Sequence, residues 1–291
     1  LYVVVKTNII IKQLEDLNGN IMNKKIKKKM IIYQHIMNKI AVIDMDSVAF
    51  SIGAGIKIEI GVDELGNPIY QKENNKLVYI DKTEEQLIES ADFVMNSILS
   101  KSGCTEYIGF IKGKNTIQSK LKYNSDYKQN RPTISPKWWQ FVKEDLIKRY
   151  NIFTANDYEV DEFVISFYKQ TPDSFICAID SDILGTEGTH YNWRKEAWIT
   201  TTKEQEEFNF WSQMITGNHN NVKGLPGKGV KYAEGIKQTA DLINIEFSTI
   251  ILREYIKYFT EEIGIDEFYK TYKSLIIKKD LDISKFKTKE I

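Results

Sequence analysis

Apolar residues fall along this chain in short runs separated by amphipathic stretches. Ile40-Ala41-Val42-Ile43 and Phe175 to Ile179 have strand length, and the second follows the turn signal Pro172-Asp173. Both read as buried strands, the first starting at Lys39, and Glu106–Ile111 reads as a third. Between the first and third, Thr83 to Leu99 keeps Leu87, Ala91, Val94 and Ile98 on one helical face, and Thr83 with Gln86 forms a capping box. Strand, helix and strand in that order predict a right-handed parallel crossover. Residues 53–80 read as a β-excursion, with Ile56, Ile58 and Ile60 alternating before the turn-rich Asp63-Glu64-Leu65-Gly66-Asn67-Pro68.

Further along, Pro136 to Tyr150 predicts a helix with Pro136 at its first position and Trp139, Val142, Leu146 and Ile147 inward. Asn156 or Asp157 is expected to cap the next helix, whose stripe is Val160, Phe163, Val164 and Phe167. Tyr191, Trp193 and Ala197–Thr200 read as a hairpin closing the sheet. Lys203 to Ile215 is helical, with Phe208, Trp211 and Ile215 on one face. The remainder, Ala233 to Ile291, reads as helical, with Phe247, Ile250, Ile251, Tyr255, Tyr258 and Phe259 packing on the domain. The whole is an α/β pattern with a mostly parallel central sheet over residues 37–202 and a helical region over 203–291.

Composition changes this picture little. The chain has 291 residues, and its 40 basic and 40 acidic residues balance, so net charge points to no partner. Cys104 and Cys177 sit on or beside predicted buried strands and read as small core residues in a reducing compartment, which places the protein in a cytoplasm, a host's if the source is viral. His35, His190 and His219 form no spaced ligand set, which argues against zinc. No apolar run reaches membrane-spanning length, so no membrane partner is expected. Residues 1–36 are apolar and then strongly basic, with Met37 standing just before the first strand; they read as a disordered upstream extension, or alternatively as a basic nucleic-acid arm.

Local charge is more informative. Asp180 and Asp182 end the run at Ile179, and Asp44 and Asp46 end the run at Ile43. Carboxylates at the C-terminal ends of strands stand where open α/β sheets place ligands. Glu159, Asp161 and Glu162 add three more at a helix start. Gathered without a cation, such groups repel and protonate, so an oxygen-ligand site for Mg²⁺ or Mn²⁺ is the simplest reading. The competing reading is a set of turns and helix caps. At about 100° per residue, Glu159 and Asp161 flank the apolar stripe and Glu162 falls on the side opposite it, so helical spacing alone does not aim all three at one metal.

Two other stretches point to nucleic acid. Residues 112–136 carry Lys112, Lys114, Lys120, Lys122, Lys128 and Arg131 against the single acid Asp126, with Tyr123 and Tyr127 interleaved. That composition suits a connection that tracks phosphates and stacks on bases, or else a solvated loop. Lys223-Gly224-Leu225-Pro226-Gly227-Lys228-Gly229, between two helices, reads as a hairpin whose glycines take positive φ and whose backbone amides cradle a phosphate.

The ordered set resembles the 5′ nucleases of the flap endonuclease and 5′→3′ exonuclease group, especially their bacteriophage members, over roughly residues 37–237. The matching pieces are Asp44, Tyr127-Lys128-x-x-Arg131, Glu159-x-Asp161-Glu162, Asp180-x-Asp182 and Gly224-Leu225-Pro226-Gly227-Lys228-Gly229. The resemblance implies a PIN-like core, a basic helical arch over about 112–136, and a helix-hairpin-helix at 216–237. It implies two divalent ions, with Asp44, Glu159, Asp161, Glu162, Asp180 and Asp182 as ligands and Lys128 and Arg131 at the scissile phosphate. It implies DNA with a 5′ end, flap or branch as partner, contacted by Lys112, Lys114, Lys122, Tyr127, Lys223, Gly224, Gly227, Lys228 and Gly229. Two departures stand against it. Phe110-Ile111-Lys112 lacks the aspartate expected before the arch. The family's Gly-Asp-x-x-Asp-Asn falls on Gly217 and Asn220 counting back from Gly224, or on Asn218 and Asn221 counting forward from Gly217. The second metal site is therefore depleted, with Asp46 or Glu187 as possible substitutes. The functions to weigh are a metal-dependent 5′ nuclease of phage-type replication or recombination, a DNA-binding module of weakened chemistry, and a PIN-like ribonuclease, which the helix-hairpin-helix argues against.

Overall fold

The structure, a computed structural model, describes residues 40–129, 137–218 and 220–291. The extension at 1–36, the start of the first strand at Lys39, Arg131 and Pro136 lie outside the described residues.

Strand β1 (Ile40–Asp44) is buried from Ala41 onward and leads directly into helix α1 (Met45–Gly53). Alternate side chains of a strand face opposite ways. Ala41 and Ile43 accordingly join one core, and Val42 joins a second on the other face of the sheet. The excursion is a ribbon of short antiparallel pairs outside the main sheet: β2 (Ile56–Lys57) with β7 (Tyr79–Ile80), β3 (Glu59–Val62) with β4 (Pro68–Tyr70), and β5 (Lys72–Glu73) with β6 (Lys76–Leu77). Helix α2 (Glu84–Ser102) starts with the expected capping box. The Gln86 amide donates to Thr83 Oγ1 at 3.3 Å and the Thr83 amide to Gln86 Oε1 at 3.0 Å.

Strand β8 (Glu106–Lys112) runs parallel to β1 and completes the predicted crossover. After the one-turn helix α3 (Gln118–Leu121) and helix α4 (Trp139–Arg149) comes β9 (Ile152–Ala155), parallel to β8. Helix α5 (Val160–Gln170) is capped at Glu159, not at Asn156 or Asp157. Asp157 has φ +65°, a left-handed turn conformation, whereas an N-cap takes an extended backbone as Glu159 does. Strand β10 (Ser174–Cys177), helix α6 (Ser181–Leu184) and the hairpin β11 (Gly188–Asn192) and β12 (Ala197–Thr201) follow. Then come α7 (Lys203–Thr216), α8 (Val230–Leu242), α9 (Phe247–Tyr258) and α10 (Glu261–Leu275).

The sheet runs β12-β11-β10-β1-β8. The outer edge of β8 is shared by β9 and by β13 (Lys289–Glu290), which is antiparallel to it. The end of the chain is therefore not helical as expected. Beyond Leu275 the apolar residues Ile277, Leu281, Ile283 and Phe286 do not keep helical spacing, and the tail packs on the second core instead. The Phe286 ring stands 5.1 Å from Phe110, 5.2 Å from Phe153 and 5.7 Å from Phe163, centre to centre. Gln170 Nε2 donates to the Leu281 carbonyl at 2.9 Å and Asn151 Nδ2 to that of Lys287 at 2.8 Å. A third core binds α7–α10 together through Phe247, Ile250, Ile251 and Tyr255; Tyr258, expected with them, is exposed. Among the described residues no helix is long and apolar enough to cross a membrane.

Candidate active site

Adjacent parallel strands end at one edge of a sheet. Ile43 pairs in register with Cys177, so Asp44 leaves β1 beside the point where Asp180 follows β10. Asp46 in the first turn of α1 and Asp161 in the first turn of α5 are brought to the same cleft, and Glu159 and Asp182 also line it. Lys112, Lys128 and Lys143 line it as well.

The acids are under electrostatic stress. Burial, with help from Asp46 and Asp180, pushes the Asp44 carboxyl up to about 7. Burial raises Asp161 strongly, and Glu159, Asp180 and Asp44 add to it. Asp46 is also raised by burial, against the pull of Lys112, Lys128 and Lys143. Mutual repulsion of this kind shows that the carboxylates share a field, and it is relieved by a cation.

Glu159 is different. Burial opposes its charge, but Lys120 and Lys128 outweigh burial and hold it below the usual carboxylate range. Lys120 Nζ lies 2.6 Å from Oε2, Lys128 Nζ pairs with Oε1, and the Tyr127 hydroxyl donates to Oε2 at 3.0 Å. Lys120 is therefore a buried partner of Glu159 and not a phosphate contact. Tyr127, expected to stack on a base, is buried, with Lys120 and Lys128 each 5.3 Å from its ring centre.

Glu162 does not reach the cleft. Its Oε2 accepts the Glu159 amide at 2.9 Å and its Oε1 the Lys278 amide at 3.1 Å, so it ties the start of α5 to the C-terminal tail. This is the side of the helix on which its spacing places it.

The hairpin between α7 and α8 is compact. Gly227 has φ +70°, as a left-handed turn requires. Gly224 is needed for another reason: a Cβ there would collide with the backbone of Ile215 and Gly217. Gly229 needs neither condition, since its φ is −118° and its surroundings are open. Lys223 is exposed, and Lys228 sits 4.1 Å over the Tyr232 ring.

No family model and no curated protein matches the chain. Solved structures do. A bacteriophage T5 protein co-crystallised with metal ions matches with a TM-score of 0.55 at 12% identity, over 81% of this chain and 90% of its own. The bacteriophage T5 flap endonuclease, in a pseudo-enzyme–product complex with DNA and metal ions, matches at 0.52 and 13%, over 81% and 89%. The T5 5′-exonuclease with bound zinc matches at 0.51 and 12%, over 81% and 90%. The fold is that of a phage-type 5′ nuclease.

Within this 5′-nuclease fold the chain has its own features. Among the described residues of the stretch 112–136, the only helix is α3, one turn long. Lys114 and Lys122 are exposed but lie off the cleft, whereas Lys112 lines it. Asn218 and Asn220 line the cleft where the resemblance calls for carboxylates. Of the two substitutes, Asp46 stands inside the cleft with its Oδ1 accepting the Lys112 amide at 2.7 Å; Glu187, at the rim, is paired with Lys169 at 2.7 Å. Lys143 and the exposed Phe50 also line the cleft. Sequence reasoning singled out neither Lys143, which lies within the predicted helix of residues 136–150, nor Phe50.

Hard oxygen donors suit a divalent ion such as Mg²⁺ or Mn²⁺. Among the described residues, however, no three acidic, histidine or cysteine side chains stand close enough together to hold a metal as they are placed. Both oxygens of Asp44 are engaged within its own turn. Its Oδ2 accepts the Ser47 hydroxyl at 2.6 Å and its Oδ1 the Asp46 amide at 3.1 Å. The donor chemistry fits a metal ion, and coordination requires these side chains to turn toward one another.

Proposed function

We propose that this protein is a divalent-metal-dependent, structure-specific 5′ nuclease that hydrolyses phosphodiester bonds of DNA bearing a 5′ end, flap or branch, in phage-type replication or recombination. The observation that carries this reading is the group Asp44, Asp161 and Asp180: burial, and after it the neighbouring carboxylates including Asp180, push up the carboxyls of Asp44 and Asp161 in a cleft also lined by Lys112, Lys128 and Lys143. Asp44, Asp161 and Asp180 would hold the ion, with Asp182 beside them. A bound divalent ion supplies an activated water and positive charge for the leaving oxygen. Lys128 faces the phosphate and neutralises it, and Glu159 holds Lys128 in place. The hairpin amides around Gly227 and the Lys228 ammonium grip the duplex backbone without reading sequence. Arg131 belongs with Lys128 by its place in the sequence. The working compartment is the cytoplasm.

A second reading is a DNA-binding module that grasps branched or flapped DNA with weakened chemistry. Asn218, Asn220 and Lys112 favour it, because carboxamides and an ammonium take positions where a second ion needs charge. Cleavage of a 5′-labelled flap duplex with Mg²⁺ or Mn²⁺, beside an Asp180→Ala control, separates the two. Metal-dependent cleavage abolished in the variant supports the nuclease. Tight flap binding with no cleavage in either metal supports the module and removes the nuclease reading.

A further inference from the structure

The base of the basic connection is fastened to the turn that precedes the hairpin. Asn221 Nδ2 donates to the Asp126 carbonyl at 3.0 Å, Asn124 Nδ2 donates to the Asn221 carbonyl at 3.1 Å, and the Lys128 amide donates to the Asn220 carbonyl at 2.9 Å. Asn124 is buried, and its Oδ1 accepts the Asp126 amide at 3.1 Å, which closes the turn on itself. Residues 124–128 and 220–221 thus exchange hydrogen bonds in both directions. At the end of this clasp, Lys128 has φ +59°. A lysine gains nothing locally from a left-handed backbone, so the surroundings must impose it. From that backbone its side chain reaches Glu159 at the floor of the cleft.

We propose that Asn221 is a positioning residue: its side-chain N–H fastens the connection to the hairpin turn and so sets where the Lys128 ammonium stands in the cleft. The consequence for catalysis rests on the nuclease reading, since it needs Lys128 to meet the phosphate; the clasp itself does not. It also explains a role for asparagine at this turn. Asn221 has φ +61°, which asparagine tolerates, and it brings a donor that aspartate lacks.

The test uses the full chain and two variants that keep the left-handed turn. Asn221→Gly removes the side chain, and Asn221→Asp keeps its size but not the N–H. Two quantities are read: the rate at which an amine-reactive reagent labels Lys128, followed by mass spectrometry, and single-turnover cleavage of a flap duplex with its Kd. Both variants should label Lys128 faster than wild type, and both should cleave about tenfold more slowly, as misplacement of a catalytic group does, with Kd unchanged. Labelling that stays at the wild-type rate in both variants, or Asn221→Asp behaving as wild type, overturns the proposal. Faster labelling in a protein whose wild type cleaves nothing supports the clasp and counts against the nuclease reading alone.

Discussion

Lys120 and Glu159 form an ion pair at 2.6 Å with only 7% and 6% of their side chains exposed. The pair joins the basic connection to the first turn of α5, and it leaves the second Glu159 oxygen for Lys128. Removing one partner of such a pair strands the other charge away from water. Lys120→Met should therefore cost about 3 kcal/mol of stability, at the low end for a broken buried pair because Lys128 still serves Glu159. Urea unfolding measures it. A change below about 0.5 kcal/mol, the size expected of a surface site, would show that the pair is solvated in solution.

Asp44 makes the metal question accessible without any substrate. Its carboxyl is raised from 3.8 to about 7, so the folded protein binds this proton more tightly than the unfolded chain. That contribution to stability is complete below about pH 4 and is lost as pH rises through about 7. Asp46 and Asp161 shift the same way. A divalent ion binds the ionised carboxylates and stabilises the folded state by mass action. The rise in Tm on adding Mg²⁺ should be larger at pH 8 than at pH 5, and Asp44→Asn should both flatten the metal-free pH dependence and shrink the Mg²⁺ effect. Equal shifts at the two pH values would remove Asp44 from the ligand set.

Much of the core was legible because its signals are local. The apolar run at Ile40–Ile43, the capping box at Thr83 and Gln86, and the paired carboxylates after two strands each depend on a few neighbouring residues. The site was harder to read because its allocation of charge is tertiary. Lys120 and Lys128 have the same composition signature as Lys114 and Lys122, yet the first two are turned onto Glu159 and the others to solvent. Glu159 and Glu162 sit in one acidic motif, but one faces Lys128 and the other caps backbone amides. Sequence spacing put Glu162 on the far side of the helix; only the fold supplied the Lys278 amide that gives it a purpose there.

The C-terminal tail is the clearest difference from the sequence reading. It was expected to be helical to the end, while Phe286 is buried among Phe110, Phe153 and Phe163, against β8. Truncating a phenylalanine this enclosed creates a cavity. Phe286→Ala should lower stability by about 3–4 kcal/mol, within the range for core aromatics. Because Leu281 and the Glu162–Lys278 tie belong to the same tail, amide exchange should also speed up at Lys278 and at Glu159. Stability within about 0.5 kcal/mol of wild type would mean the tail does not dock in solution.

The hairpin makes the sharpest separation between binding and chemistry. Lys228 lies ahead of α8, held over Tyr232, which packs on the third core, and it does not line the cleft that holds Asp44. A lysine that neutralises one phosphate releases about one counterion, so its loss should reduce the slope of log K against log salt by about 1 for any DNA sequence. Lys228→Glu should weaken duplex binding about tenfold at moderate salt, since it removes attraction and adds repulsion, and Lys228→Gln should weaken it less. Mg²⁺ binding, followed by its effect on Tm, should be the same in both variants as in wild type. Duplex affinity and salt slope unchanged in both would take the hairpin out of the DNA interface. A loss of Mg²⁺ binding alongside would show that the substitution disturbs the cleft, and the hairpin would then not be acting as a separate backbone grip.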